Sequence, residues 1–306
     1  MEYQRTLKHS ISCTGTGLHS GEKVNMVLHP AEPGAGVLFR RSDVATRAAT
    51  IPALYDRVTA STMGTTISNS EGVSVATVEH LLAALSGCGI DNVIIELDAG
   101  EVPIMDGSAA PFVMLVECAG YVEQAAVRRK LRVLKFVEVR DGDKLVSIGP
   151  AEKLSISFEI DFDSAAVCHQ SGDFSMKNGA FKGELARART FGFLKEVDFL
   201  RANGFALGGS LDNAVVVDDD KVLNEDGLRY SDEFVRHKMM DVIGDLYLGG
   251  GPVEGHFRGV RSGHSLNNRL LHELFSDASA WCWSSDEPTQ RAANLNWNGS
   301  VVAATA

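Results

Sequence analysis

Two separate stretches of this chain carry side chains whose types and spacing could do chemistry together. Within residues 234–246, His237 and Asp241 stand at i and i+4. One helical turn apart, an imidazole nitrogen and a carboxylate oxygen can converge on a single cation. Far upstream, Glu79-His80 opens an Ala/Leu-rich segment. A ligand histidine beside a carboxylate suits metal-assisted hydrolysis, because one group holds the ion while the other takes a proton from water. If the two segments face each other, His80, His237 and Asp241 make a His2Asp site. That ligand count belongs to a catalytic zinc rather than a structural one, and its net positive charge would bring the pKa of water down toward ~7. A hydrolase also needs an acid for its leaving group, and His264 lies on a glycine-flanked loop, Ser262-Gly263-His264, of the kind that positions catalytic groups. Taken singly, each signal has a blander reading: a wet helix face, a surface Glu beside a half-buried His, a surface loop histidine.

The elements that must position these residues can be read from periodicity. At ~100° per residue, Val235, Met239, Val242, Ile243 and Leu246 share one side of a helix, and His237, Lys238, Asp241 and Asp245 cluster opposite. One face is expected to pack and the other to be available for chemistry. Residues 14–23 form a glycine-rich turn leading into a strand at 24–28, which His29-Pro30-Ala31 stops, so a hairpin is expected. Gly15-x-Gly17 lacks the third glycine of a dinucleotide fingerprint. A strand at 133–139, a turn at 140–144, a strand at 145–148 and Gly149-Pro150-Ala151 repeat the same order. The echo continues: the helix at 78–87 leads through Gly89 into a strand at 93–97, and the helix at 234–246 leads through Gly249-Gly250-Gly251 into a strand at 253–257. The pattern predicts an α+β fold of two similar, duplicated units, each a small sheet packed on helices. The boundary falls in the polar stretch 123–130, giving domains at 1–125 and 130–280 and a loosely ordered polar tail at 281–306. Between these parts, residues 103–108 hold an Asp-Gly turn with a structural role for Asp106, and 109–119 reads as a short helix.

Composition bounds the function. A chain of 306 residues is about twice one domain, and its net charge of −11 argues against wrapping a nucleic-acid backbone. The 5 cysteines are odd in number, scattered and never in a C-x-x-C pair, so neither a disulfide framework nor a thiolate zinc site is indicated. Neither an apolar leader at the start nor an apolar run of ~20 residues is present, so a soluble, cytoplasmic protein is expected.

Thr14-Gly-Thr-Gly-Leu-His-Ser-Gly21, Thr77-Val-Glu-His80, Pro103-Ile-Met-Asp-Gly-Ser-Ala-Ala-Pro-Phe112, Ala188-Arg-Thr-Phe-Gly-Phe193, Leu207-Gly-Gly-Ser210, Asn224-Glu-Asp-Gly-Leu-Arg229, Glu233-Phe-Val-Arg-His-Lys-Met-Met-Asp241 and Ser262-Gly-His264 occur in this order. Together they resemble the UDP-3-O-acyl-N-acetylglucosamine deacetylases of lipid A biosynthesis, over nearly the whole chain up to about Leu271. The resemblance implies a zinc amidase that removes acetate from the 2-amino group of a UDP-linked, 3-O-acylated glucosamine, with iron(II) an alternative occupant of the site. By motif, His80, His237 and Asp241 would be the ligands, Glu79 the general base and His264 the acid. Asp245 would orient His264, Thr190 would donate to the carbonyl oxygen, and Lys238 would hold substrate oxygens or phosphate. It also implies two similar α+β domains with the site between them and an insert in each, the second insert at about 185–217 forming an acyl passage. Read from the residues, Phe193, Val197 and Leu200 make a helical stripe ending near Gly204. With the resemblance, that stripe and Phe191 become tunnel lining, Phe162 an aromatic partner for uracil, and Leu18 and Met63 substrate contacts. Lys144 would lie near the diphosphate, as would Arg261, which replaces the family's usual lysine by a planar fork. The expected partner is the UDP-linked substrate, with no nucleic acid, no membrane span, at most peripheral membrane contact, and a monomeric state. Two rivals share some of these residues. One is a non-catalytic sugar-nucleotide binder whose zinc joins the halves, which would need a fourth protein ligand that none of His19, His169 or His256 supplies by spacing. The other is a metal amidase for a different acylated amine.

Overall fold

Two five-stranded sheets repeat one strand pattern in the computed structural model, which describes residues 2–45, 49–177 and 179–285. The first runs Ile11–Thr16, Lys23–Pro30, Val93–Leu97, Val37–Arg41, Thr50–Pro52 across its width. The second runs Val137–Asp141, Lys144–Gly149, His256–Val260, Ser155–Asp161, His169–Ser175. In each sheet the third and fourth strands are parallel and every other neighbouring pair is antiparallel. The strands alternate: in Lys23–Pro30, Val24, Met26 and Leu28 are fully buried between more exposed neighbours, the period of a sheet with one covered face. The whole is mixed α and β with several small sheets, and one apolar core runs through both halves.

The helices are α1 (Glu79–Cys88), α2 (Ala110–Ala119), α3 (Leu194–Ala202), α4 (Glu233–Tyr247) and α5 (His264–Ser276). Helix α1 is buried from Glu79 to Leu85, as its Ala/Leu sequence requires of a central helix. Its chief neighbour is α4, and the two meet without intervening side chains at one point. A Cβ on Gly244 would lie 2.0 Å from the carbonyl oxygen of Glu79, so only glycine allows α4 to touch the start of α1. Tyr247 closes the same junction by donating to the Ile90 carbonyl at 2.5 Å.

Several expectations need correction. The blander reading of the polar side of α4 as a wet face does not hold: every residue of that helix except Arg236 and Lys238 is buried, and His237, Asp241 and Asp245 face the other half. The strand expected at 133–139 is two strands, Leu131–Val133 and Val137–Asp141, because Leu134 turns aside to donate its N–H to Ala280. The strand expected at 253–257 also splits. Val253–Glu254 pairs with Leu131–Val133, while His256–Val260 joins the second large sheet. The boundary stretch 123–130 is largely ordered strand, Tyr121–Val127 pairing with Tyr3–Leu7. Residues 14–16 belong to a strand rather than to the glycine-rich turn. The expected tail begins with ordered chain, Trp281–Trp283 pairing with Leu131–Val133, and its remainder from 286 lies outside the described residues. Among the described residues no helix is long and apolar enough to cross a membrane.

Candidate metal centre and active site

His80 at the first turn of α1 and His237 and Asp241 on α4 meet where the helices touch. Their ligand atoms all lie within 4.8 Å of one another, and all three residues are buried. Asp241 Oδ1 sits 3.5 Å from His80 Nε2 and 3.4 Å from His237 Nε2. That oxygen is buried with no hydrogen-bond partner. A buried, unpaired carboxylate oxygen is costly unless a cation meets it. The His237 ring supports the same reading. Its Nδ1 is 3.2 Å from the Ala188 carbonyl, which can only accept, so Nδ1 carries the proton and Nε2 presents a lone pair toward Asp241. Burial drives the His237 pKa down to about 3, outweighing the neighbouring carboxylate, which leaves the imidazole neutral as a ligand must be. Burial opposes the charge of Asp241, but His237 and Lys238 beside it hold it well below the usual carboxylate range. The donor set, its burial and the unpartnered oxygen fit a divalent cation.

Around this trio stands a second set of groups. Glu79 Oε2 accepts the Thr65 N–H at 2.9 Å, and its Oε1 lies 3.9 Å from His264 Nε2. Burial raises the Glu79 pKa above the usual carboxylate value, against the pull of His264 and His80. His264 opens α5, and its Nδ1 donates to Asp245 Oδ2 at 2.8 Å, which turns Nε2 toward Glu79 and toward Asp241 Oδ2, 3.8 Å away. Burial works against a charged His264, yet Asp245 and Glu79 raise its pKa to about 9. Asp245 is itself fixed by the Thr65 hydroxyl at 2.6 Å and the Asn267 amide at 2.8 Å. Lys238 Nζ donates to the free side of the ligand carboxylate, Asp241 Oδ2, at 3.1 Å.

These groups open on a cavity of about 520 Å3. Among its lining are Leu18, Met63, Glu79, His80, Phe162, Thr190, Phe191, Phe193, His237, Lys238, Asp241 and His264. Thr190 is presented by two backbone bonds, its N–H to the Gly107 carbonyl and its C=O from the Val215 N–H, both at 2.8 Å. Gly107 has φ +84°, and a Cβ there would lie 2.1 Å from the Asn213 carbonyl oxygen, so the loop closes on the site only with glycine. Phe162 packs edge-on to Phe191, with ring centroids 5.6 Å apart. The expected helical stripe starts one step late: Phe193 belongs to a short strand, Phe191–Phe193, parallel to Val215–Asp218, while Val197 and Leu200 extend the apolar wall from α3.

Not every expected residue reaches this cavity. Asp245 lies behind His264 rather than in the wall. Lys144 opens a strand of the second sheet and is exposed away from the lining. The Arg261 fork is already engaged by Asp143, at 2.6 Å, and by Asp161. The residues missed at the sequence level are supports. Thr65 and Asn267 hold Asp245, and Glu101 is buried while accepting the N–H groups of His19 and Ser20, each at 2.9 Å, and the Thr77 hydroxyl at 3.0 Å. Thr77 has φ +57°, an unusual conformation for a β-branched residue, two positions before Glu79. Single polar residues of this kind carry no spacing signal. His19 also lines the cavity, with a buried Nε2 that lacks a partner.

Comparison with known proteins gives a consistent picture. Residues 4–276 match the LpxC family, UDP-3-O-acyl N-acetylglycosamine deacetylase. The chain is 49% identical to the UDP-3-O-acyl-N-acetylglucosamine deacetylase of Idiomarina loihiensis over 304 residues, covering 98% of this chain and 99% of that protein. It is 50% identical to the enzyme of that name from Stenotrophomonas maltophilia strain K279a, over 94% of this chain and 95% of the other. For that of Pseudomonas entomophila the figures are 51%, 91% and 92%.

Proposed function

The chain belongs to the LpxC family of UDP-3-O-acyl-N-acetylglucosamine deacetylases, and from that premise we propose that it hydrolyses the N-acetyl group of a UDP-linked, 3-O-acylated glucosamine, releasing acetate and the free amine. The observation that carries the residue assignment is the convergence of His80, His237 and Asp241, with an unpartnered Asp241 Oδ1, beside a cavity that Glu79, Thr190 and His264 also line. These three residues would hold zinc, which supplies Lewis acidity, polarising the amide carbonyl and making water acidic enough to ionise near neutral pH.

The remaining work falls to the chain's own groups. Glu79, whose proton affinity burial raises, accepts a proton from the attacking water. Thr190 donates to the carbonyl oxygen as negative charge develops there. His264, kept charged by Asp245 and Glu79, gives a proton to the amine nitrogen as the C–N bond breaks. Water and amide thus become acetic acid and amine, with Glu79 protonated and His264 neutral; passing the Glu79 proton to His264 Nε2, 3.9 Å away, restores both, and acetic acid leaves as acetate by releasing its proton to water. Phe191, Phe193, Val197 and Leu200 form an apolar wall suited to the 3-O-acyl chain, while Phe162, Leu18 and Met63 line the same space. Lys238, bound to Asp241 and facing the cavity, serves substrate oxygens.

The test is to offer the purified protein a UDP-(3-O-acyl)-N-acetylglucosamine with and without a chelator and to measure acetate. Release that stops on chelation and returns with zinc is the expected result. Acetate release that persists after complete metal removal would overturn the metal assignment, and no release from the zinc-loaded protein would overturn the reaction.

A further inference from the structure

Arg189 and Glu233 form a charged pair that the chemistry above does not use. It is as buried as the ligands, with Arg189 6% exposed and Glu233 fully enclosed. The contact is a fork: Arg189 Nε donates to Glu233 Oε1 at 2.8 Å and Nη2 to Oε2 at 3.1 Å. The Arg189 backbone N–H adds a bond to Oε1 at 3.0 Å, the Arg229 N–H one to Oε2 at 2.6 Å, and Nη2 also reaches the Gly227 carbonyl at 2.8 Å.

A buried ion pair adds little net stability, because desolvating both charges offsets most of their attraction and apolar residues of similar volume pack as well. What a forked arginine–carboxylate contact does supply is direction. The placement of this pair shows what is being directed. Glu233 is the first residue of α4 and sits one turn before His237. Arg189 lies between the two residues through which its loop meets the site: Ala188, whose carbonyl accepts from His237 Nδ1, and Thr190, which lines the cavity.

We infer that Arg189 and Glu233 are positioning residues: their fork pins the Ala188-Arg189-Thr190 segment to the start of α4, thereby fixing the tautomer of His237 and the aim of Thr190. The inference rests on His237 being a metal ligand, as proposed above. It does not follow from packing alone, since the pair touches neither the cavity nor the ligand atoms. Carboxylate partners that orient a ligand histidine typically change metal affinity or activity by about 10–100-fold when removed. Here the same effect is expected from one step further out, transmitted through a backbone carbonyl.

The experiment compares the full-length protein with Glu233→Gln, which keeps the shape but replaces one acceptor oxygen by an NH2 group. Zinc affinity is read by competition with a chromophoric chelator, and kcat and KM by acetate release. Glu233→Gln is expected to weaken zinc binding by about 10–100-fold, to lower kcat by a similar factor and to leave KM within about twofold. A control separates positioning from general loosening of α4. Arg236→Ala removes the bonds of Arg236 to Asp232 at 2.6 Å and to the Glu184 carbonyl at 2.9 Å, in the same turn, without touching residues 188–190. It should leave zinc affinity within about twofold of the parent. Parental zinc affinity in Glu233→Gln, or equal weakening in Arg236→Ala, overturns the inference. Should Glu233→Gln not fold, the double change Arg189→Met/Glu233→Leu leaves no buried charge unpaired and is judged by the same figures. Failure of the underlying metal reading looks different: His237→Ala would then bind zinc as tightly as the parent.

Discussion

Gly244→Ala tests the central junction with an outcome whose sign is not the one helix propensity gives. Alanine in the middle of an exposed helix is worth about 1 kcal/mol over glycine, and Gly244 lies well inside α4. At this position, however, the new Cβ would stand 2.0 Å from the Glu79 carbonyl oxygen, where ordinary contact begins near 3.4 Å. The obstacle is backbone on both sides, so no rotamer change relieves it. Either α4 moves back by roughly 1.4 Å or the start of α1 does. Overpacking of this kind typically costs about 1–3 kcal/mol, and at roughly 2–4 °C per kcal/mol for a domain of 150–250 residues the melting temperature should fall by on the order of 5 °C. The effect on rate should be larger than the effect on stability. Glu79 and His80 sit on one side of the contact and His237 and Asp241 on the other, so the parting acts directly on the distances between them. A misplacement of about 1 Å can cost ~10²-fold in rate. Thermal unfolding and steady-state acetate release on the zinc-loaded variant give both numbers. A variant that melts at or above the parental temperature and turns over at the parental rate would refute the claim that this contact sets the site.

Other outcomes follow from the same geometry. Glu79→Gln should retain zinc and lose about 10²–10⁴ in kcat, the usual range for proton-transfer catalysis, and near-parental turnover would remove Glu79 as the base. His237→Ala should lose the metal outright, read by elemental analysis of the dialysed protein, and one full equivalent of zinc would reject that ligand. Chelation should lower the melting temperature of the parent, because an ion that binds only the folded chain stabilises it by mass action, about 2.7 kcal/mol at a free concentration 100 times Kd; His80→Ala should be insensitive to the chelator. Val197→Trp, on the apolar wall from α3, should depress kcat/KM for long 3-O-acyl chains more than for short ones, and equal loss at both lengths would move the acyl passage elsewhere.

How much of this was legible beforehand depends on the range over which each feature is decided. The i, i+4 pair His237/Asp241 and the sequence neighbours Glu79-His80 are local, and the glycine-punctuated order of hairpins and helices is local too, so pattern alone reaches them. The wet-face alternative for α4 could not be dismissed from the helix alone, because a polar stripe looks the same in sequence whether it meets water or another buried polar cluster. The breaks at 134–136 and at Gly255 were invisible for a similar reason. Each run is apolar enough to be one strand, and only the presence of two sheets to join decides where it divides. Thr65, Asn267 and Glu101 matter through partners many residues away in the chain, and Arg261 is held by carboxylates that no motif associates with it.

The proposed ligands, base and acid come from both repeats of the sheet pattern, Glu79 and His80 from the earlier and His237, Asp241 and His264 from the later. A polypeptide ending near residue 128, however well folded, would own the base and a single ligand, His80, too few to hold the ion. Its sequel would own two ligands and an acid with no base. On the proposed assignment hydrolysis needs both halves together, and mixing the two fragments in a test tube would make catalytic turnover a direct gauge of their reunion.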